Sequence, residues 1–301
     1  VTSTAVLTVV AGRHDHLRGQ LIGLAASAQA PALHVVVSMG DPGVRAVVEG
    51  VPASAGTRRV VVDVAVPDDG ELPLARARNA AAAAALDLGA DVLVFLDVDC
   101  VPAPELVGTY ARAASSAALQ AVPGPALLCG PVAYLPPEVR VTSPADLARL
   151  PAAAEPHRAR PVPAAGEVVA AEESQWWLFW SLSFAVTAAD WPRTGGFCEE
   201  YRGYGGEDTD VAASVRALGG TLFWVGGALA HHQHHPVQDP PVHHLHAILR
   251  NAEVFHRRWG WWPMTGWLER FREAGLVDYD AASRTWSLTG RSATAARNTS
   301  S

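Results

Sequence analysis

The first hundred residues carry four short apolar runs, at 5–10, 33–37, 60–64 and 92–96, with helical segments at 15–29 and 74–88 between them. A run that is apolar at every position suits a strand covered on both faces. Such strands alternating with helices specify a doubly wound α/β unit with a largely parallel sheet. In sheets of this kind ligands bind at the carboxyl ends of the strands. The loops after Val10, Val37 and Leu96 are therefore where binding chemistry is expected. Asp15 is placed to cap the first helix.

Beyond residue 101 the alternation loosens. Residues 151–170 are rich in Pro and Ala and read as an irregular loop, with 151–166 a possible cover for a second substrate. The aromatic run 176–186 reads as a strand. Residues 207–218 read as a helix with Val211, Val215 and Leu218 on one face, and 221–225 and 228–232 as short strands. Leu245, Ile248, Leu249, Ala252 and Phe255 have helical spacing, so a C-terminal helix is expected to pack back on the sheet. The polar tail after Gly290 is expected to be flexible, and its Asn298-Thr299-Ser300 triplet is taken as a chance match to a glycosylation sequon.

Composition removes several chemistries. All 23 basic residues are arginine. Without lysine there is no Schiff-base catalysis and no G-x-x-x-x-G-K-[ST] phosphate loop. The formal net charge of −7 argues against a general nucleic-acid binder. Cys100, Cys129 and Cys198 form no C-x-x-C pair, which fits a reducing, cytoplasmic setting. The longest apolar run, near residues 80–86, is too short to span a bilayer, and no leader sequence is recognisable at the N-terminus. The Trp-rich stretch 259–267 can rest on a membrane surface, although core packing is the default for it.

Four constellations carry potential chemistry. Asp97-Val98-Asp99 follows an apolar strand, so two carboxylates can reach one divalent cation and a nucleotide. The same triplet also fits a solvated loop or a cap for the segment after Pro102. Gly195-Gly196-Phe197-Cys198-Glu199-Glu200 is followed by Tyr201-Arg202-Gly203-Tyr204-Gly205-Gly206-Glu207-Asp208. There the glycines let the backbone approach a ligand, and Glu207 and Asp208 enter the first turn of a helix. An ionised carboxylate at that point can accept a hydroxyl proton, or it can simply cap the helix. His231-His232-Gln233-His234-His235 offers one or two metal ligands among solvated neighbours. Trp176 and Trp177 are candidate walls for a sugar ring, and the tryptophans after residue 258 are better suited to packing.

In this order the motifs resemble the inverting GT-A glycosyltransferases, specifically the family-two enzymes and the galactosyltransferase-type branch. The resemblance covers roughly residues 5–236. It runs from the LTVVAGRHDHL strand and loop through Leu74-Ala75-Arg76-Ala77-Arg78-Asn79, Asp97-Val98-Asp99, SLSFAVTAADWPRTGGFCE and Gly205-Gly206-Glu207-Asp208 to a later His. It implies a Rossmann-like mixed sheet flanked by helices, with a C-terminal helical extension. Residues 1–236 would be the catalytic domain, divided into a nucleotide-binding half (1–100) and an acceptor and metal half (101–236). Residues 237–290 would be a helical segment packed on it, and 291–301 a flexible tail.

The resemblance also implies roles. Asp208 would be the catalytic base, and Glu207 would orient it or the acceptor. Asp99 would ligate a divalent metal, Mn²⁺ favoured over Mg²⁺, with His232 as a further ligand and His234 as second choice. Ala11, Gly12, Arg13, Arg76, Arg78, Asp97 and Val98 would surround a nucleoside-diphosphate sugar, UDP-sugar favoured. Relatives place an Asp on the uracil after the second strand. Here Ser38 stands nearest and Asp41 three residues later, so the base identity stays open. Trp176, Trp177, Tyr204, Gly205 and Gly206 would face an acceptor of unknown identity. The alternatives are a retaining enzyme on the same fold, a sugar nucleotidyltransferase, or an inactive nucleotide-sugar-binding module. The intact carboxylate and histidine set and the missing lysine argue against the last two.

Overall fold

A computed structural model describes residues 2–290, so the tail 291–301 and its sequon lie outside the described residues. In chain order the strands are β1 (Thr4–Val10), β2 (Leu33–Met39), β3 (Arg58–Val64), β4 (Val92–Leu96), β5 (Cys100–Pro102), β6 (Ala126–Cys129) and β7 (Val132–Tyr134). Then come β8 (Glu155–Pro156), β9 (Val168–Ala170), β10 (Ser183–Thr187), β11 (Thr221–Val225), β12 (Ala230–His232), β13 (Val277–Asp280) and β14 (Thr285–Leu288). The helices are α1 (His14–Ala25), α2 (Gly43–Gly50), α3 (Leu74–Asp87), α4 (Leu106–Ala114) and the short α5 (Ala117–Gln120), α6 (Leu150–Ala153) and α7 (Trp191–Thr194). They are followed by α8 (Glu207–Ala217), α9 (Leu245–Trp259) and α10 (Thr265–Glu273).

The main sheet has the order β3-β2-β1-β4-β10-β6-β11-β9. β3, β2, β1 and β4 are parallel, as the apolar runs require. β10 runs antiparallel between β4 and β6, which makes the sheet mixed. A second sheet, β5-β12-β7-β8, stands beside the carboxyl end of β4 and carries the first histidines of the cluster. The chain winds outward from β1 in both directions, so the crevice at the β1/β4 edge is a topological switch point.

Burial explains why these residues pack here. β1, β2 and β4 are buried at every position. β3 departs from expectation, because as the edge strand it is mostly half-exposed. On one face of the sheet α3 presents Ala75, Ala77, Ala81, Ala82 and Ala85, all fully buried. Small side chains let its axis lie close to the strands, and this seats Arg78 near the crevice. Beneath that crevice Phe95 and Phe184 stack at 4.5 Å, with Trp191 and Phe197 against Phe95.

Several local expectations change. Asp15 does not cap α1. Arg13 holds the cap position in a left-handed conformation (φ 49°), and Asp15 instead pairs with Arg18 at 2.8 Å. The strand expected at 176–186 shrinks to β10. Residues Glu173–Leu178 form a 3₁₀ turn, fixed by a reciprocal capping box between Glu172 and Gln175. The 151–170 segment is pinned: β8 pairs with β7, β9 pairs with β11, and Arg160 is buried with its guanidinium near the Trp180 and Trp224 rings. Helices α2 and α4 are additions to the expected set. The C-terminal segment is helical over α9 and α10 but ends in a β13–β14 hairpin with its own small core. No helix of the described residues is long and apolar enough to cross a membrane. Of the tryptophans at 259–267, Trp259 bonds Asp210, Trp262 stacks on His256 and Trp267 lies by Tyr204, while Trp261 is exposed.

Candidate active site

The β4 strand ends in a tight turn that sets out the D-x-D carboxylates. Gln20, fully buried on α1, holds that turn by donating to the carbonyls of Asp97 (2.7 Å) and Cys100 (3.2 Å) while accepting from Thr8 Oγ1. Gln233 closes it from the other side. Its backbone N–H donates to the Asp99 carbonyl at 2.7 Å, and its side-chain amide donates to the His16 carbonyl at 3.0 Å. The Gln20 side chain and the Gln233 backbone thus brace the turn, whose Asp97 carbonyl also accepts from the Cys100 N–H at 2.8 Å.

Asp99 faces two imidazoles. Its Oδ2 is 3.5 Å from His232 Nε2 and 3.4 Å from His235 Nε2, and the three ligand atoms lie within 4.8 Å of one another. Arg13 Nη1 approaches the same oxygen at 3.7 Å. Burial opposes ionisation of Asp99, but the His235 hydrogen bond and the charges of His232, His235 and Arg13 outweigh it and hold the carboxyl below its ordinary value. Burial also pushes the His232 imidazole down, which favours the neutral form that a metal takes. One carboxylate and two imidazoles fit a divalent metal with coordination positions left for substrate oxygens. His234, the second choice from sequence, is exposed and outside this cluster. Strand alternation from His232 would have selected it, but β12 ends at His232 and the chain turns, bringing His235 in instead.

Glu207 and Asp208 form the first turn of α8, with Gly206 capping it at φ 95°. Asp208 is half-buried, and its Oδ1 accepts from the Thr209 backbone N–H at 2.7 Å. Burial and then the neighbouring Glu207 charge push its pKa up to about 7. The helix dipole favours the carboxylate by only about 0.3–1 kcal/mol. The shift runs the other way, so burial and the repulsion of Glu207 outweigh the dipole.

Arg78 joins the two acidic motifs. Its guanidinium donates to Asp97 Oδ1 and Glu207 Oε1, each at 3.1 Å, and lies 5.2 Å from the centre of the Phe197 ring. Burial works against its charge, but the two carboxylates more than compensate and raise its pKa. Asp97 keeps a pKa of about 6, since burial and the Asp99 charge outweigh Arg78. Next door, Asn79 bonds both the N–H and the carbonyl of Phe197 and reaches Glu199 at 2.9 Å. The Arg-Asn pair of α3 is therefore the physical link between D-x-D, G-G-F-x-E and G-G-E-D.

Other expected residues are distributed unevenly. Arg76 is exposed on α3, two residues from Arg78 and hence on a different face, so it does not join the cluster. Arg78 is itself occupied by carboxylates, which leaves Arg13 as the arginine at the metal-type cluster. Asp41 accepts from the N–H groups of Gly12 (2.7 Å) and Gly43 (2.9 Å) and pairs with His14 at 2.8 Å, so it shapes the first loop. Ser38 is buried, with its hydroxyl donating to the Asp41 carbonyl. Both side chains thus serve the first loop, and an open cleft of about 560 Å³ lies beside Asp41, lined also by Pro42, Arg45 and Asp63. Ala11 packs on the core and Val98 on the α1–α2 side.

Trp176 belongs to the core, and Trp177 lies under Arg216, near the far end of α8. Nine residues of helix, at about 1.5 Å each, separate that end from Glu207, so neither Trp walls the site. Tyr204 does stand there. It is 40% exposed, stacks on His244 at 4.5 Å, and has its hydroxyl raised to about 12 by burial and by the charges of Asp208, Glu207, Asp97 and Asp99. Gly205 and Gly206 follow it with φ of 92° and 95°. The sequence reading held His235 only as one member of the 231–235 run, and it gave no role to Gln20, Gln233 or Asn251. For Gln20 and Asn251 the available signal is an amide set within a buried helix face.

Residues 169–237 match a family model described as the N-terminal domain of galactosyltransferase. A segment of 44 residues is 43% identical to validoxylamine A glucosyltransferase of Streptomyces hygroscopicus subsp. jinggangensis, covering 15% of this chain and 10% of that protein. The same protein of subsp. limoneus matches equally. The chain thus aligns with about a tenth of the length of these relatives. Among solved structures, TarS 1–349 of S. aureus superposes with a TM-score of 0.55 at 13% identity, covering 89% of this chain and 74% of that one. Its complex with UDP-GlcNAc gives 0.54 at 12% identity, covering 89% and 76%. The chain has the GT-A fold and carries, over residues 169–237, a segment of the galactosyltransferase type.

Proposed function

We propose that this protein is a metal-dependent, inverting glycosyltransferase that moves a sugar from a nucleoside-diphosphate sugar to an acceptor hydroxyl. The observation that carries the reading is the convergence, through Arg78, of the Asp97–Asp99 strand end and the Glu207–Asp208 helix start. The neighbouring Asp99, His232 and His235 supply a metal-type donor set. UDP is the favoured nucleotide, since the similar TarS 1–349 structures include complexes with UDP-GlcNAc and with UDP. Validoxylamine A glucosyltransferase points the same way for the reaction class.

In this reading Asp208 accepts the proton of the acceptor hydroxyl while its oxygen attacks the anomeric carbon. Glu207, held by Arg78, orients the acceptor beside Tyr204. Asp99, His232 and His235 would hold Mn²⁺, whose bound charge stabilises the negative charge that develops on the departing diphosphate. Two imidazoles in the set favour Mn²⁺ over the harder Mg²⁺. Arg13 adds direct positive charge at the same place.

Nucleotide release from a panel of UDP-, GDP- and dTDP-sugars, followed with and without Mn²⁺, tests the reading without knowledge of the acceptor. Release from a UDP-sugar is expected, together with loss of activity in chelator and recovery on adding Mn²⁺. Full activity in chelator would remove Asp99, His232 and His235 from the mechanism. With an α-linked donor the product anomer is expected to be β by NMR, and an α product would reverse the stereochemical assignment.

A further inference from the structure

We infer that Asn251, on the C-terminal helix α9, is a positioning residue for the Glu207–Asp208 pair. The inference rests on the glycosyltransfer reading above and extends it to a segment outside the recognised motifs. Asn251 is fully buried. Its Nδ2 donates to the carbonyls of Gly205 (2.8 Å) and Arg202 (3.0 Å), with the Tyr204 carbonyl sharing one of the two hydrogens at 3.3 Å, and its Oδ1 accepts from the Arg202 N–H at 3.4 Å. One side chain therefore engages four backbone groups of the loop that ends in the cap of α8.

The loop needs such a partner. Gly203, Gly205 and Gly206 have φ of 70°, 92° and 95°, so the loop is irregular and its carbonyls are not taken up by a strand or helix ladder. An amide is the side chain that offers two N–H donors and an acceptor from one planar group. An apolar residue of the same size would leave the three carbonyls without this donor.

The surrounding contacts belong to the same helix. A side chain at Gly203 would strike Ala247, and one at Gly206 would approach Asn251 and Tyr201. Adjacent Arg250 donates to the Arg202 carbonyl at 2.7 Å and forms a two-pronged pair with Glu71, in the segment just before α3. The loop is thus moulded on α9 and tied to the segment leading into the helix that carries Arg78. Asn251 touches no reacting group in this arrangement. It acts by fixing where α8 begins, and so where Asp208 points.

The test compares Asn251→Ala and Asn251→Asp with Leu249→Ala, a buried position on the same helix whose loss destabilises without touching the loop. The readouts are nucleotide release from the best donor of the panel, UDP affinity, melting temperature, and hydrogen exchange of the amides at 202–206. Both Asn251 variants are expected to lower kcat about 10–100-fold, with donor KM and UDP affinity within about threefold of wild type. Loop exchange should rise at least about tenfold. The Asp variant should do no better than the Ala variant, because it sets an oxygen against three carbonyls. Leu249→Ala should lower the melting temperature while keeping kcat and loop exchange near wild type.

An unchanged kcat or unchanged loop exchange in the Asn251 variants overturns the assignment. So does an equal fall of kcat in Leu249→Ala at matched stability, which would reduce Asn251 to fold support. If wild type releases nucleotide from no donor, the glycosyltransfer reading falls and takes the catalytic half of this inference with it. The exchange data then still decide whether Asn251 anchors the loop.

Discussion

Asp208→Asn is expected to keep nucleotide binding and to slow transfer about 10²–10⁴-fold, the range that a positioned general base contributes. The substitution preserves shape, and Asn still offers Oδ1 to the Thr209 N–H. What it loses is basicity. Wild-type activity should follow the same group. With its pKa raised to about 7 by burial and by Glu207, Asp208 is about one-tenth ionised at pH 6 and about nine-tenths at pH 8, so the rate should climb across that window. In Asp208→Asn the climb should disappear.

Stability should move the opposite way. The folded-state pKa lies above the unfolded value, so the folded protein holds the extra proton between about 4 and 7 and loses stability as pH rises through that range. Above pH 7 the Asn variant is relieved of the buried charge and should melt no lower than wild type. Near-normal transfer by this variant would remove Asp208 from the role of base, and a melting temperature well below wild type at pH 8 would overturn the raised pKa.

Arg78→Met is expected to cost about 3–5 kcal/mol of stability, the usual price of breaking a buried ion pair from one side. Arg78 is 6% exposed and its partners Asp97 and Glu207 are 23% and 10% exposed, so solvent cannot replace the lost charge. For a domain of this size that predicts a fall in melting temperature of about 10 °C. Arg78→Lys should recover only part of it. An ammonium is a single point of charge, whereas the guanidinium fork reaches two carboxylates and keeps its plane near Phe197. Combining Arg78→Met with Glu207→Gln should cost less than the sum of the two, because one orphaned charge is removed with its partner. A single variant that melts within about 2 °C of wild type, or strict additivity in the double variant, would show that Arg78 is not the link between the two motifs.

The lysine-free composition acquires meaning at Arg78 and Arg13. From the sequence it only excluded Schiff-base and phosphate-loop chemistry. In the structure both cations beside the acidic motifs are arginines, one forked between carboxylates and one at Asp99. The bias in composition therefore costs this arrangement nothing, and at Arg78 the fork is the better residue.

The sequence by itself determined the parallel half of the sheet and its order of motifs. Continuous apolar runs, period and glycine placement are local properties, and they are enough to set β1, β2 and β4, the first turn of α8 and the ends of strands where carboxylates gather. Asp97, Asp99, Glu207, Asp208 and His232 stand out only through the ordered resemblance to GT-A glycosyltransferases, since each motif alone also fits a cap, a loop or a solvated cluster. The surroundings of Arg78, Arg76, Asp41, Trp177 and His234 were not legible in the sequence, because their partners lie far along the chain or their direction depends on where a short strand stops. Tertiary structure alone decided that Arg78 faces two carboxylates, that Asp41 is consumed by the first loop, and that His235 replaces His234. It also brought Asn251 of α9 onto the loop before Asp208. These outcomes depend on which backbone groups are left without partners once the sheet has formed, and that is a property of the packed molecule.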